Sequence, residues 1–277
     1  AVGAIRSNCG GSPQNAGRVF IYEKNNVTDQ WIESQVLTSP LQAGTNYYPD
    51  FGGTLAVNDY WLIVGMPNYR TSSNCTLGAI AIYKKSTETG IWELNQTFVN
   101  NTCNDRFGQS LSLTGNTFVT GGTAQNEERV IIFEYDPFSE SWVAGSQITD
   151  PNPSATSNFG ISADISGSRL IVGDNGHTGN QPNEGIAYVF EKNPTTTQWE
   201  LAATFNNPGN TANSFGASVT ISGNVALVGD RLGEINSIAG GSVYAYQRNP
   251  ATGVWEFNQA LIPPISNAND YFGNKLQ

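Results

Sequence analysis

Residues 159–199 read FGISADISGSRLIVGDNGHTGNQPNEGIAYVFEKNPTTTQW. The stretch opens on Phe159-Gly160. An alternating segment follows, then a Ser-Gly-Ser turn at 166–168. The apolar run Leu170-Ile171-Val172 ends at Gly173, fourteen residues after the Phe. A polar loop leads to Gly185, five residues before Phe190, and Phe190 stands nine residues before Trp199. Period-2 alternation, β-branched and aromatic enrichment, and Gly/Asn punctuation predict four short strands. The tight first turn suits a two-residue hairpin, because Gly and Asn tolerate positive φ.

The same template recurs along the chain. Phe-Gly pairs stand at Phe51-Gly52, Phe107-Gly108, Phe159-Gly160, Phe215-Gly216 and Phe272-Gly273, spaced by 56, 52, 56 and 57 residues. The strand-ending glycines are Gly65, Gly121, Gly173 and Gly229. The aromatic/Trp pairs are Tyr22/Trp31, Tyr83/Trp92, Phe133/Trp142, Phe190/Trp199 and Tyr246/Trp255. The Gly five residues before the aromatic is Gly17, Gly78, Gly185 or Gly241, and Glu128 replaces it in one block. A period near 55 residues means one supersecondary unit stacked repeatedly. Four antiparallel strands per block in tandem predict an all-β fold, a β-propeller with about five repeats represented. An all-β sandwich explains the short strands but not the common template.

The whole chain, 1–277, reads as a single propeller domain. Its blocks are 1–50 plus 272–277, 51–106, 107–158, 159–214 and 215–271. Ala1-Val2-Gly3-Ala4 aligns with the second strand of a block, and residues 272–277 open another. That pattern reads as a processed product or a window of a longer protein. Three expectations remain open: the ring closes by pairing the two ends, further blocks exist, or the open strand edges pair with another molecule.

Composition narrows the function. The formal net charge is −10, with only 13 Lys and Arg scattered along 277 residues, so no basic face for nucleic acid is visible. No run of 18 apolar residues predicts a membrane span. Cys75 and Cys103 fall in loops at the same end of one block, so a Cys75–Cys103 disulfide is expected, the alternative being two free thiols. Cys9 is left odd. The sequons at Asn26, Asn74, Asn95 and Asn100 are candidate glycosylation sites, all expected to be exposed, and they suit a secreted or cell-surface setting.

Candidate chemistry is sparse. His177 is the only histidine, so nucleophilic triads would have to use it. The competing reading is a solvated loop residue. Asp174 and Asp230 occupy the same repeat position and point to one face, either as a carboxylate pair for glycoside hydrolysis or as strand-end groups bonding loop backbone. Asp174, His177 and Asp230 are therefore the candidate ligand-facing residues. No catalytic set, metal site or cofactor is predicted.

Phe-Gly, then an apolar strand ending in Val-Gly-x, then Gly-x-[Val/Ile]-x-x-aromatic, resembles the FG-GAP repeat. That family includes the propellers of integrin α chains and integrin-like propeller lectins. Phe51, Gly52, Val64, Gly65 and Pro67 fit its pattern best, whereas Gly121-Gly122-Thr123, Gly173-Asp174-Asn175 and Gly229-Asp230-Arg231 depart from it. Many family repeats carry an Asp-rich calcium loop between the first two strands. Here that connection is a tight turn with at most Asp59, so the resemblance is to a calcium-free variant. Repeat arrays usually bind or build and seldom catalyse. With the sequons, the open chain ends and the lack of catalytic groups, the array predicts a non-enzymatic, extracellular, glycosylated structural or adhesion module acting through protein partners or self-association, for example as a subunit of a filament or surface assembly. The alternative is a lectin-like propeller that binds glycans, and the third reading is a glycoside-directed hydrolase.

Overall fold

A computed structural model describes residues 1–5, 17–41, 48–72, 75–122, 128–209, 214–235, 238–264 and 270–277. Cys9 and Asn74 lie outside them. Five antiparallel sheets follow one another in chain order. The first has three strands, β1 (Val2–Ala4), β2 (Arg18–Lys24) and β3 (Trp31–Thr38). The second is β4 (Thr54–Val57), β5 (Trp61–Met66), β6 (Ala79–Lys85) and β7 (Trp92–Val99). The third is β8 (Ser110–Thr114), β9 (Thr117–Gly122), β10 (Arg129–Asp136) and β11 (Ser141–Thr149). The fourth is β12 (Ser162–Ser166), β13 (Arg169–Asp174), β14 (Ile186–Lys192) and β15 (Trp199–Asn206). The fifth is β16 (Phe215–Ser222), β17 (Val225–Asp230), β20 (Ser242–Arg248) and β21 (Trp255–Leu261), with the small ribbon β18 (Glu234–Ile235) and β19 (Ile238–Ala239) in its second connection. This is an all-β propeller. Among the described residues no helix is long and apolar enough to cross a membrane.

The core explains the sequence pattern. Middle strands are buried on both faces, as in β5, where all six residues are buried. Period-2 alternation then deals side chains to opposite neighbours. Leu62 and Val64 join the cluster shared with the first sheet, which includes Val19 and Ile21. Trp61 and Ile63 join the cluster shared with the third, which includes Phe118 and Phe133. Two further clusters fill the third–fourth and fourth–fifth junctions. The core is thus a set of four inter-blade layers.

The repeated Trp packs back against the preceding blade. Trp92, Trp142 and Trp255 are 7%, 1% and 9% exposed. Trp31, on the first sheet, meets no described sheet on that side and is 68% exposed. The Phe-Gly pair is the linker. Gly78 bridges Phe107, Gly185 bridges Phe215 and Gly241 bridges Phe272, each in parallel register. Phe51 and Phe159 make no such bridge, although Gly17 holds the partner position for Phe51 and Glu128 replaces the glycine for Phe159. Blades approach closely here. A Cβ on Gly121 would lie 1.9 Å from the Gly160 carbonyl oxygen, so glycine is required for backbone contact.

Phe272-Gly273 docks on the fifth blade in the same manner, with Ser218 Oγ donating to the Gly273 carbonyl at 2.6 Å. Residues 272–277 add no strand to the first sheet. Cys75 and Cys103 are joined in a disulfide. Asn26 and Asn95 are exposed, but Asn100 is half-buried with its Nδ2 enclosed, so not every described sequon is open to solvent.

Candidate functional site

A cavity of about 420 Å³ lies at one end of the fourth blade. Three segments build it: the connection 150–158 from the third blade, the loop 175–185 between β13 and β14, and the end of β15. His177, Glu184, Asn152, Asn180, Asn206 and Asn207 supply its polar lining.

Asp174 ends β13 and is fully buried. It holds the loops together by accepting from the Asn158 amide at 2.6 Å and the Gly176 amide at 3.1 Å. Gly176 must be glycine, because a Cβ there would lie 1.9 Å from the Thr156 carbonyl oxygen. Ser157 Oγ lies 2.7 Å from both Asp150 Oδ2 and Asp174 Oδ2. One hydroxyl has one proton to give, so both contacts are hydrogen bonds only if one carboxyl keeps its own proton. Burial raises the Asp174 pKa above the usual carboxylate range, the Asp150 charge adds to the rise, and the hydrogen bonds oppose it.

His177 is only 6% exposed. Its Nδ1 is enclosed, makes no hydrogen bond and lies 4.0 Å from Asp174 Oδ2. The ring lines the cavity. Across it, Glu184 Oε2 accepts from the backbone amides of Asn180 (2.8 Å) and Gln181 (3.2 Å). Asn207 Nδ2 donates to the Glu184 carbonyl at 3.2 Å and to Asp230 Oδ2 at 3.4 Å.

The expectation of a solvated loop histidine does not hold, since the 175–185 loop folds His177 inward over Asp174. Asp230 is fully buried behind Asn207 and does not line the cavity. Burial pushes its carboxyl up to about 7, partly countered by the Leu232 and Gly233 amides and Asn207. Asp174 and Asp230 each bond loop backbone at a strand end. Glu184 and the four asparagines escaped the sequence reading. Glu184 had one signal, an acid placed immediately before the repeat glycine Gly185. Among the described residues no cluster of three or more His, Cys, Asp or Glu is arranged to hold a metal ion.

The FG-GAP repeat family matches residues 142–190, from β11 through most of β14, and 205–246, from the end of β15 into β20. The chain thus carries FG-GAP-like repeats in these two stretches. No curated protein sequence matches the chain. Solved structures share its fold. A Lactobacillus plantarum protein is 12% identical with a TM-score of 0.54, over 92% of this chain and 65% of its own. A Pseudomonas aeruginosa periplasmic gluconolactonase is 15% identical with a TM-score of 0.53, over 88% and 64%. A putative 6-phosphogluconolactonase from Bacteroides fragilis is 14% identical with a TM-score of 0.55, over 90% and 65%. The chain spans just under two thirds of each of these structures.

At such identities the likeness is one of fold, but it corrects two expectations. The reading of a non-enzymatic module rested on the premise that repeat arrays bind or build and seldom catalyse. Two of the three propellers above are lactonases by name, so that premise fails. The second support, a lone solvated histidine, fails on the burial of His177. The structural or adhesion role, and the denial of enzyme activity, do not stand.

Proposed function

We propose that this chain carries the active site of a hydrolase that opens lactones or closely related esters. The observation that carries the reading is His177, buried at the wall of a polar cavity with Asp174 beneath it. A histidine so placed suits general-base work. Its ring takes a proton from water as the water oxygen attacks the acyl carbon, and the acyl C–O bond then breaks. The same proton returns to the leaving alkoxide, so a ring-opened hydroxy acid is the product. Cavity asparagines offer N–H donors where negative charge develops on the carbonyl oxygen. The lactonase neighbours support the reaction class. The Cys75–Cys103 disulfide supports an oxidising compartment such as the periplasm or the cell exterior.

The test is hydrolysis of D-glucono-δ-lactone followed with a pH indicator at mildly acidic pH, where the spontaneous reaction is slow. The wild type should exceed buffer background, and His177→Ala should lose about 100-fold or more of that excess. No turnover above background, or full activity in His177→Ala, refutes the proposal.

A further inference from the structure

We infer that the fourth-blade cavity takes an uncharged, polyhydroxylated ring, an aldonolactone or a pyranose, and excludes its phosphorylated counterpart. The inference deepens the proposed function and rests on reading this cavity as the substrate site. It separates two substrate types that the fold alone leaves together.

Three observations carry it. First, four asparagines line the cavity. The Asn207 amide is spent on the Glu184 carbonyl, Asp230 and the Gly209 amide, and Asn152, Asn180 and Asn206 each bring a side-chain amide with two donors and an acceptor. A sugar hydroxyl both donates and accepts, so amides pair with it fully, whereas a phosphate only accepts. Second, among the described residues no Lys or Arg lines the cavity, while Glu184 does. Asp150 stands close behind the wall, its Oδ1 accepting from the Asn152 amide at 2.8 Å. A phosphate dianion would enter against these charges in a chain of net charge −10.

Third, the natural anion seat is already taken. Successive backbone amides at a loop turn form a nest for anions. In this cavity the amides of Asn180 and Gln181 both point to Glu184 Oε2, the chain's own carboxylate. A phosphate would have to expel it. Gly179 leaves the space for this arrangement, since a Cβ there would lie 2.7 Å from Glu184 Oε2. Glu184 is itself only 6% exposed, so it is a fixed part of the wall.

The chain has one histidine, so a single imidazole signal in the NMR spectrum reports on the cavity without assignment work. The probes are 1,5-anhydro-D-glucitol, which is neutral, and glucose 6-phosphate. The neutral polyol should shift the His177 signal saturably, and the phosphorylated sugar should bind at least about tenfold more weakly. In Glu184→Gln, the penalty on the phosphorylated sugar should fall about tenfold while the neutral polyol still binds. Equal or tighter binding of glucose 6-phosphate to the wild type overturns the inference, as does a His177 signal that neither probe moves. The two proposals fail separately. Polyol binding without lactone turnover removes the hydrolase reading and leaves this one. Turnover that prefers a phosphorylated lactone removes this one and leaves the hydrolase.

Discussion

The side-chain amide of Gln35 clasps both backbone groups of Trp92, 57 residues further on. Its Nε2 donates to the Trp92 carbonyl at 2.9 Å, and its Oε1 accepts from the Trp92 amide at 2.9 Å. Gln96 repeats the clasp on Trp142 at 3.1 and 2.8 Å. Both glutamines lie four residues after their own repeat Trp, on the outer strand of one blade, and reach the start of the next blade's outer strand. Ser146 and Ala203 hold that position in the third and fourth blades, and an exposed Gln259 holds it in the fifth. Ion pairs add to the same seams, as between Glu23 and Lys85, Glu134 and Lys192, and Glu191 and Arg248.

Gln96→Ala should therefore cost about 1–3 kcal/mol, because it strips two hydrogen bonds from a strand start whose Trp142 is nearly sealed. Gln259→Ala, lacking a partner among the described residues, should stay within about 0.5 kcal/mol of wild type. Urea denaturation of the two variants side by side checks this. Equal losses would show that the clasp adds nothing beyond the strand itself.

Most of the fold was legible because each repeat residue has a local geometric duty. Phe-Gly places a backbone against the preceding blade, the strand-ending glycine lets it approach, and the aromatic and Trp fill the seam. Such duties recur at fixed spacing, so the sequence displays them. The site was less legible. His177 is buried only because loop 175–185 and connection 150–158 close over Asp174, through contacts such as Thr156 Oγ1 to the Gly176 carbonyl at 2.6 Å. These connections differ from blade to blade, so no template marks them. Functional class was misread for a related reason. Repetition shows how the scaffold is built, whereas chemistry resides in one irregular loop.

A second cross-blade link sits on the inner strands. Asp164 on β12 accepts from Ser112 Oγ of the third blade at 2.5 Å, and from Thr220 Oγ1 and the Ile221 amide of the fifth at 2.8 and 2.7 Å. One carboxylate thus ties three blades. Asp164→Ala should cost about 2–3 kcal/mol, since it leaves donors on both neighbours without their acceptor. Asp164→Asn keeps one acceptor oxygen and should cost less. Thermal unfolding monitored by tryptophan fluorescence would read the order, and an Ala variant as stable as wild type would remove Asp164 from the list of blade links.

The last prediction concerns pH. Burial holds the Asp230 carboxyl up at about 7, well above an ordinary aspartate near 3.9. Between those values the folded chain keeps a proton that the unfolded chain has released. Stability therefore falls as pH rises through this window and levels off above it, at about 1.4 kcal/mol per unit as an upper limit. Asp174, raised in the same direction, contributes with the same sign. Asp230→Asn removes the titrating group while an amide oxygen can still accept from Asn207. Its stability should therefore change less than that of the wild type between pH 5 and pH 8, with a residual slope left by Asp174. Urea midpoints for both proteins at the two pH values decide the matter. Parallel slopes would mean that Asp230 is ionised in the folded state throughout, with Asn207 and the neighbouring amides outweighing the cost of burial.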